Sequence, residues 1–167
     1  MDSVVEDPKE IIVPMGKFEV AHNPHILTAL GLGSCVGVAL YDSESKIGAL
    51  AHVMLADSKK FGNQTDLEKF ADVAVPRMME QMIKMGAKKE NIKAKIAGGA
   101  EMFPDLEDVD LQISAENVVS VKMVLSNEKI PLISTDTGGY FGRTVKLYTI
   151  NGSVEVIIRA KEKSYFI

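Results

Sequence analysis

"LGLGSCVGVALYDSESKIGALAHVML", Leu30 to Leu55, is the stretch that decides how the chain folds. Val36 to Tyr41 and Ile47 to Met54 are rich in β-branched and apolar residues. The segment between them, Asp42-Ser43-Glu44-Ser45-Lys46, is polar, so the stretch predicts an antiparallel β-hairpin. Residues that face each other across such a pair point to the same side of the sheet. Pairing Cys35 with His52 centres the turn between Ser43 and Glu44 and brings the two Cβ atoms to about 4.5–5.5 Å. Cys35 is the only cysteine and His52 one of three histidines. An imidazole beside a thiol lowers the effective pKa of the thiol and accepts its proton, so this register offers a nucleophile and its base. A slip of one residue would put them on opposite faces. The alternative reading is a small buried hydrophobe, a common role of a free cysteine.

The turn before the cysteine supports the first reading. Gly31, Gly33 and Gly37 allow tight turning and close approach of a substrate to the main chain. The N–H groups around Gly33 and Ser34 would meet a developing oxyanion. The same run imitates a dinucleotide fingerprint, but Val36 stands where the third glycine belongs and the loop opens into a strand rather than a helix. Zinc is equally poorly supported: His22, His25, His52 and one cysteine fit no finger spacing, and His22 and His25 flank Pro24 in an expected surface loop. Neither a metal nor a cofactor is expected.

Outward from the hairpin, EIIVPMGKFEVA reads as one or two short strands interrupted at Pro14-Met15-Gly16. Residues 1–9 are polar and acidic and read as a flexible leader, leaving 10–167 as a single domain. Thr65-Asp66-Leu67-Glu68 has the form of a capping box and predicts a helix to about Met85. Leu67, Phe70, Ala71, Ala74, Met78, Met82 and Met85 form its apolar stripe, Gly86 ends it, and Pro76 should kink or break it. The methionines at 78, 79, 82 and 85 form either an adaptable apolar binding surface or, the preferred reading, core, and Asp72 is a surface acid or a tether for a neighbouring loop. Ile92 to Ala97 is a strand that ends in Gly98-Gly99-Ala100, followed by an acidic loop, Glu101 to Asp110. A second helix is expected from Ser114, burying Val118, Val121 and Leu125. Pro131 to Ser134, Thr144 to Ile150 and Ser153 to Arg159 complete about seven strands, the last two joined at Asn151-Gly152. The expected fold class is α+β: β-sheet layers rich in antiparallel hairpins, with two main helices packed against them.

Composition narrows the function. In 167 residues, 46% are hydrophobic and 25% charged, and no apolar run approaches the ~18 residues of a membrane span. A single cysteine forms no internal disulfide and the start has no secretory signal pattern, so a cytoplasmic location is expected. The net charge of −4 comes without a basic cluster interleaved with aromatics, so no nucleic-acid partner is expected.

"GLGSCVGVALYD" followed by "IGALAHVML" resembles the chemoreceptor glutamine deamidases of the CheD family, with their Gly-Ser-Cys turn and downstream Ala-His-Val segment. The resemblance continues through "KFADVAV" (69–75), "KIAGGAEMF" (95–103), "ISAENV" (113–118) and "DTGGYFGRTV" (136–145), nearly the whole chain beyond the leader. It implies catalytic roles for Cys35 and His52 and a fold of β-sheets with helices packed against them. It also implies deamidation of glutamines on methyl-accepting chemotaxis receptors, hydrolysis of glutamyl methyl esters there, and binding of a CheC-type phosphatase. Gly138, Gly139, Gly142 and Arg143 lie in one of its motifs and form a candidate substrate loop or an ordinary glycine turn. One position departs: the family commonly has a threonine six residues before the cysteine, and here that residue is Ala29, with Thr28 beside it. Either Thr28 takes over, or another group orients His52, or the enzyme is weakened. The rival reading keeps the fold without catalysis, as an adaptor for the phosphatase and the receptors. A redox-responsive thiol protein would need a resolving cysteine that the chain lacks.

Overall fold

In a computed structural model, residues 6–61, 65–105 and 109–167 are described. Their strands form two five-stranded sheets. The first contains β1 (Glu10–Ile12), β3 (Ile26–Leu32), β8 (Arg143–Tyr148), β9 (Ser153–Ile158) and β10 (Lys163–Phe166), in the order β1-β3-β8-β9-β10. The second contains β2 (Phe18–His22), β4 (Val36–Asp42), β5 (Ile47–Val53), β6 (Ile92–Gly98) and β7 (Leu132–Thr137), in the order β2-β5-β4-β6-β7. Helices α1 (Ala71–Lys84) and α2 (Val109–Asn127) cover the outer face of the second sheet. The fold is α+β, as expected, in three layers: sheet, sheet, helices.

Two apolar cores hold the layers together. Leu27, Leu32, Leu50, Leu147 and Val156 fill the space between the sheets. Val38, Leu40, Ala49, Met78, Met82 and Leu125 fill the space between the second sheet and the helices. Each such leucine, fully withdrawn from water, contributes about 1.5–3 kcal/mol. β5 is buried along its whole length because it lies inside a sheet covered on both faces, which is why "IGALAHV" is an almost unbroken apolar run rather than an alternating one.

The Leu30–Leu55 stretch does form an antiparallel hairpin, with β4 against β5, but the register differs by two residues from the expected one. Gly37, not Cys35, faces His52, and Val36 faces Val53. A shift of two keeps the alternation, so Cys35 and His52 remain on the side that faces the first sheet, in diagonal rather than opposite positions. Cys35 accordingly packs against the inter-sheet core.

Other expectations change in instructive ways. Around Thr65-Asp66-Leu67-Glu68 no side-chain cap forms: Leu67–Lys69 is a short 3-10 turn, Phe70 is extended, and α1 begins only at Ala71. Phe70 is fully buried and bridges to Leu55, so tertiary packing overrides the local signal. Asp66 and Glu68 are occupied elsewhere, Asp66 by Lys17 and Glu68 by Lys17 and Arg77. α1 runs unbroken through Pro76, whose second-turn position removes only the bond to the Asp72 carbonyl. Met78, Met79 and Met82 are core, while Met85 is exposed. Asp72 is a tether, accepting the N–H and the hydroxyl of Ser58.

α2 begins at Val109, earlier than Ser114; residues 106–108 of the acidic loop lie outside the described residues. The last hairpin turns through four residues, since Tyr148 faces Ser153, rather than through Asn151-Gly152 alone. The strands number ten among the described residues rather than about seven, chiefly because β3 passes through the glycine-rich run and β10 follows Arg159. Residues 1–5 of the expected leader lie outside the described residues. Its end is tied down, the Lys9 carbonyl accepting the Ile26 N–H at 2.9 Å. No described helix is long and apolar enough to cross a membrane.

Candidate active site

The site collects at one end of the second sheet. Cys35 stands just before β4, His52 near the end of β5, Gly98-Gly99-Ala100 at the end of β6 and Gly138-Gly139 after β7. Backbone bonds weave these segments together. The Gly33 carbonyl accepts the Ala100 N–H at 2.7 Å and the Cys35 carbonyl the Gly99 N–H at 2.8 Å. Gly98 and Gly139 carbonyls in turn accept the N–H groups of Gly138 and Glu101. Gly33 leaves room for Met102, whose Cγ lies 2.8 Å from where a Cβ at position 33 would stand.

The consequence for Gly33, Ser34 and Cys35 is an asymmetry of donors and acceptors. All three carbonyls are held by the protein, that of Ser34 by the Asn117 carboxamide at 3.0 Å. Among the described residues none of their three N–H groups has an acceptor. A turn with its carbonyls tied back and its N–H groups unclaimed is suited to receive an anionic oxygen.

His52 is 1% exposed, and its Nε2 is buried without a partner. Leaving a buried polar atom unmatched costs about 1–3 kcal/mol and calls for a functional reason. The backbone of His52 is fixed on both sides, its N–H donating to the Lys17 carbonyl at 2.9 Å and its carbonyl accepting the Gly16 N–H at 3.0 Å. Burial lowers the pKa of the imidazole below its ordinary value of 6.5. Burial also pushes the half-buried Cys35 thiol up, with its own N–H pulling the other way. The expected lowering of the thiol pKa by the histidine is therefore not seen: no hydrogen bond joins the two side chains, and burial shifts each of them in the direction that favours its neutral form.

Thr28 and Ala29 part company across β3. Leu27 and Ala29 are in the inter-sheet core with Cys35. Thr28, of opposite parity, turns to the outer face and donates its hydroxyl to Glu10 at 2.7 Å, where Lys146 also binds. Between Ala29 and Leu32 the strand carries a bulge against β8. Arg143 is 5% exposed and reaches into the glycine loop, donating to the carbonyls of Asp136, at 2.5 Å, and Gly138. With a further bond to the Phe141 carbonyl it ties together the two sides of the glycine loop. A groove lined by Gly99, Ser114, Val118, Gly138 and Tyr140 opens beside the cysteine turn.

Asn117 was not singled out by the sequence reading. It is 1% exposed and holds two carbonyls, Ser34 and Met54. A polar residue on the buried stripe of a helix, between Ser114 and Val121, was the available signal. His25 is buried rather than on a surface loop; its Nδ1 accepts the Lys9 N–H at 3.3 Å and its Nε2 lies 3.4 Å from Glu6. With His22 these groups form the one described cluster of metal-ligand type, and both nitrogens of His25 already have protein partners.

Comparison with known proteins gives this geometry its context. A family model described as CheD chemotactic sensory transduction matches residues 54–157. A Clostridium novyi protein named probable chemoreceptor glutamine deamidase CheD is 49% identical over 148 residues, 88% of this chain and 91% of that protein. Proteins of the same name from Clostridium acetobutylicum and Clostridium kluyveri are each 45% identical, over 90% and 89% of this chain and 92% of their own lengths. The matches to these relatives run over nearly the whole chain, and with a family model that covers more than half of it, the chain belongs to the CheD family.

Proposed function

We propose that the protein is a cysteine-dependent deamidase of the cytoplasm that converts glutamine side chains of methyl-accepting chemotaxis receptors to glutamate, and that it hydrolyses glutamyl methyl esters by the same route. The observation that carries this reading is the turn at Gly33-Ser34-Cys35, whose N–H groups are unclaimed beside a thiol and share a sheet face with a buried histidine. The relatives' names support the substrate class.

The chemistry follows from the groups present. His52 takes the thiol proton as Sγ attacks the glutamine side-chain carbonyl, so that a neutral pair is converted to charges only as the reaction proceeds. The oxygen of the tetrahedral intermediate is met by the N–H groups of the turn. His52 returns its proton to the nitrogen, ammonia leaves, and a thioester remains. Water attacks the thioester with His52 as base, glutamate is released and the thiol regains its proton. No cofactor is required. Substrate binding has to bring the thiol and the imidazole together, since free enzymes often hold catalytic groups more loosely than their complexes do. The test is to incubate the protein with a receptor cytoplasmic fragment and look by mass spectrometry for amide converted to acid; an unchanged fragment would refute the reading.

The pH dependence has a defined sign. Protonated His52 cannot accept the thiol proton, and its pKa is lowered, so the acidic limb of kcat/KM should lie below 6.5. A limb above 6.5 would mean that burial does not hold the imidazole neutral in the free enzyme, and that His52 is not the base as placed here.

Two observations favour a second reading. Ala29 stands where the resemblance leads one to expect a threonine, and Nε2 of His52 is unpartnered, which suits a slow enzyme or an adaptor that binds a CheC-type phosphatase and the receptors. Ala29→Thr should raise kcat on the order of tenfold with little change in KM, because an orienting hydroxyl acts on the base and not on the substrate. Thr28→Val should leave kcat unchanged and cost about 1 kcal/mol of stability through the lost bond to Glu10. A fall in kcat in Thr28→Val, or no response to Ala29→Thr, would mean that the imidazole is oriented from elsewhere.

A further inference from the structure

α2 touches the catalytic segments through polar bonds as well as through its apolar face. Asn117 donates one N–H to the Ser34 carbonyl at 3.0 Å and the other to the Met54 carbonyl at 2.9 Å. One turn on, the Ser120 hydroxyl donates to the Ala56 carbonyl at 2.9 Å. A single buried carboxamide thus joins the turn that carries Cys35 to the segment that leaves β5 two residues after His52. Since both partners are carbonyl oxygens, the amide can satisfy them only with its nitrogen turned toward them.

The Ser34 carbonyl belongs to the peptide whose nitrogen is that of Cys35. The bond is trans, so its C=O and N–H point in opposite directions. Holding the carbonyl toward α2 therefore aims the Cys35 N–H away from the helix layer, toward the side where Cys35 and His52 pack between the sheets. That N–H lies close enough to its own sulfur to influence the thiol. It has no acceptor among the described residues.

We propose that Asn117 is a positioning residue: by fixing the Ser34–Cys35 peptide plane it aims the Cys35 N–H at the oxygen of the tetrahedral intermediate, and by holding Met54 it keeps the His52 strand in register with that peptide. The effect belongs to the transition state, because the N–H meets full negative charge only there. The inference rests on the deamidase reading for its biological meaning, but its geometry can be tested without a receptor.

The probe is a short peptide in which the glutamine carboxamide is replaced by an aldehyde. Cys35 sulfur adds to the aldehyde carbon, the C=O double bond becomes a single bond, and the thiol proton passes to the oxygen that the Cys35 N–H would meet. Alkylation of Cys35 by iodoacetamide is the control, since it displaces iodide from carbon and needs no oxyanion donor. Both are measured on the wild type, Asn117→Ala and Asn117→Leu, the second keeping the volume of the side chain without its N–H groups. The expected result is aldehyde affinity reduced about tenfold or more in both variants, with alkylation rates within about threefold of the wild type. With receptor fragment, kcat should fall by a similar factor at little-changed KM. Unchanged aldehyde affinity, a parallel fall in both reactions, or variants unfolded at the assay temperature would each overturn the proposal, the last two because Asn117 would then hold structure rather than aim. A wild type that forms the adduct but converts no receptor glutamine would instead count against the deamidase reading alone.

Discussion

Cys35→Ala should lose deamidation by at least about 10^4-fold while the protein remains folded and still binds its receptor substrate. The size of the loss follows from the role: without sulfur there is no thioester, and neither the N–H turn nor His52 can replace it. The cost in stability should be small, under about 1 kcal/mol, because the thiol is half-buried and its carbonyl, which bonds Gly99, is untouched. Mass spectrometry of a receptor fragment gives the activity, and denaturant unfolding gives the stability. Activity surviving in the variant would remove Cys35 from the mechanism, whatever the family.

Gly98→Ala should damage both fold and activity. Gly98 adopts φ of +118°, a region that side chains rarely tolerate, and its added Cβ would overlap the Cys35 carbonyl oxygen and come within 3.2 Å of the Val36 Cα. These are backbone atoms of the paired strand, since Gly98 faces Val36 in the ladder, so relief requires β4 and β6 to separate where Cys35 sits. Strain of this kind costs about 1–3 kcal/mol before any clash is counted, against a total stability of about 5–15 kcal/mol. If Cys35 is the nucleophile proposed above, displacing it by even about 1 Å lowers the rate on the order of 100-fold. A variant with an unchanged unfolding midpoint and full activity would show that the close approach of these strands is dispensable.

The fold class was legible because its signals are local and repeated: the hairpin at Asp42–Lys46, the methionine stripe of α1 and the turn near Asn151 are all present. The register was not, because the polar turn accommodates pairings two residues apart equally well, and only packing between sheets selects one. The capping-box pattern at Thr65 failed for a related reason, as Phe70 is drawn into an extended bridge with Leu55 and its burial outweighs a cap of about 1 kcal/mol. At the site, parity along the strand placed Cys35 and His52 on one face even with the register wrong. The resemblance drew attention to Ala29, and the parity of β3 then separated it from Thr28. Asn117 offered only the signal of a polar residue on the buried stripe of α2; what it holds was not legible, since its two partners are carbonyls 83 and 63 residues away in sequence.

The burial of β5 on both faces has a consequence in time. Its amides lie inside a five-stranded sheet between two cores, so they can exchange with solvent only when the whole domain opens. The cysteine turn, by contrast, lies between β3 and β4, held by bonds to the β6 end and to α2 and by the packing of the partly buried Cys35 against the inter-sheet core, so less of the domain has to open to free it. The two halves of the proposed catalytic pair should therefore live on different clocks, His52 persisting as long as the fold and Cys35 opening first. On warming, competence should fade before cooperativity does.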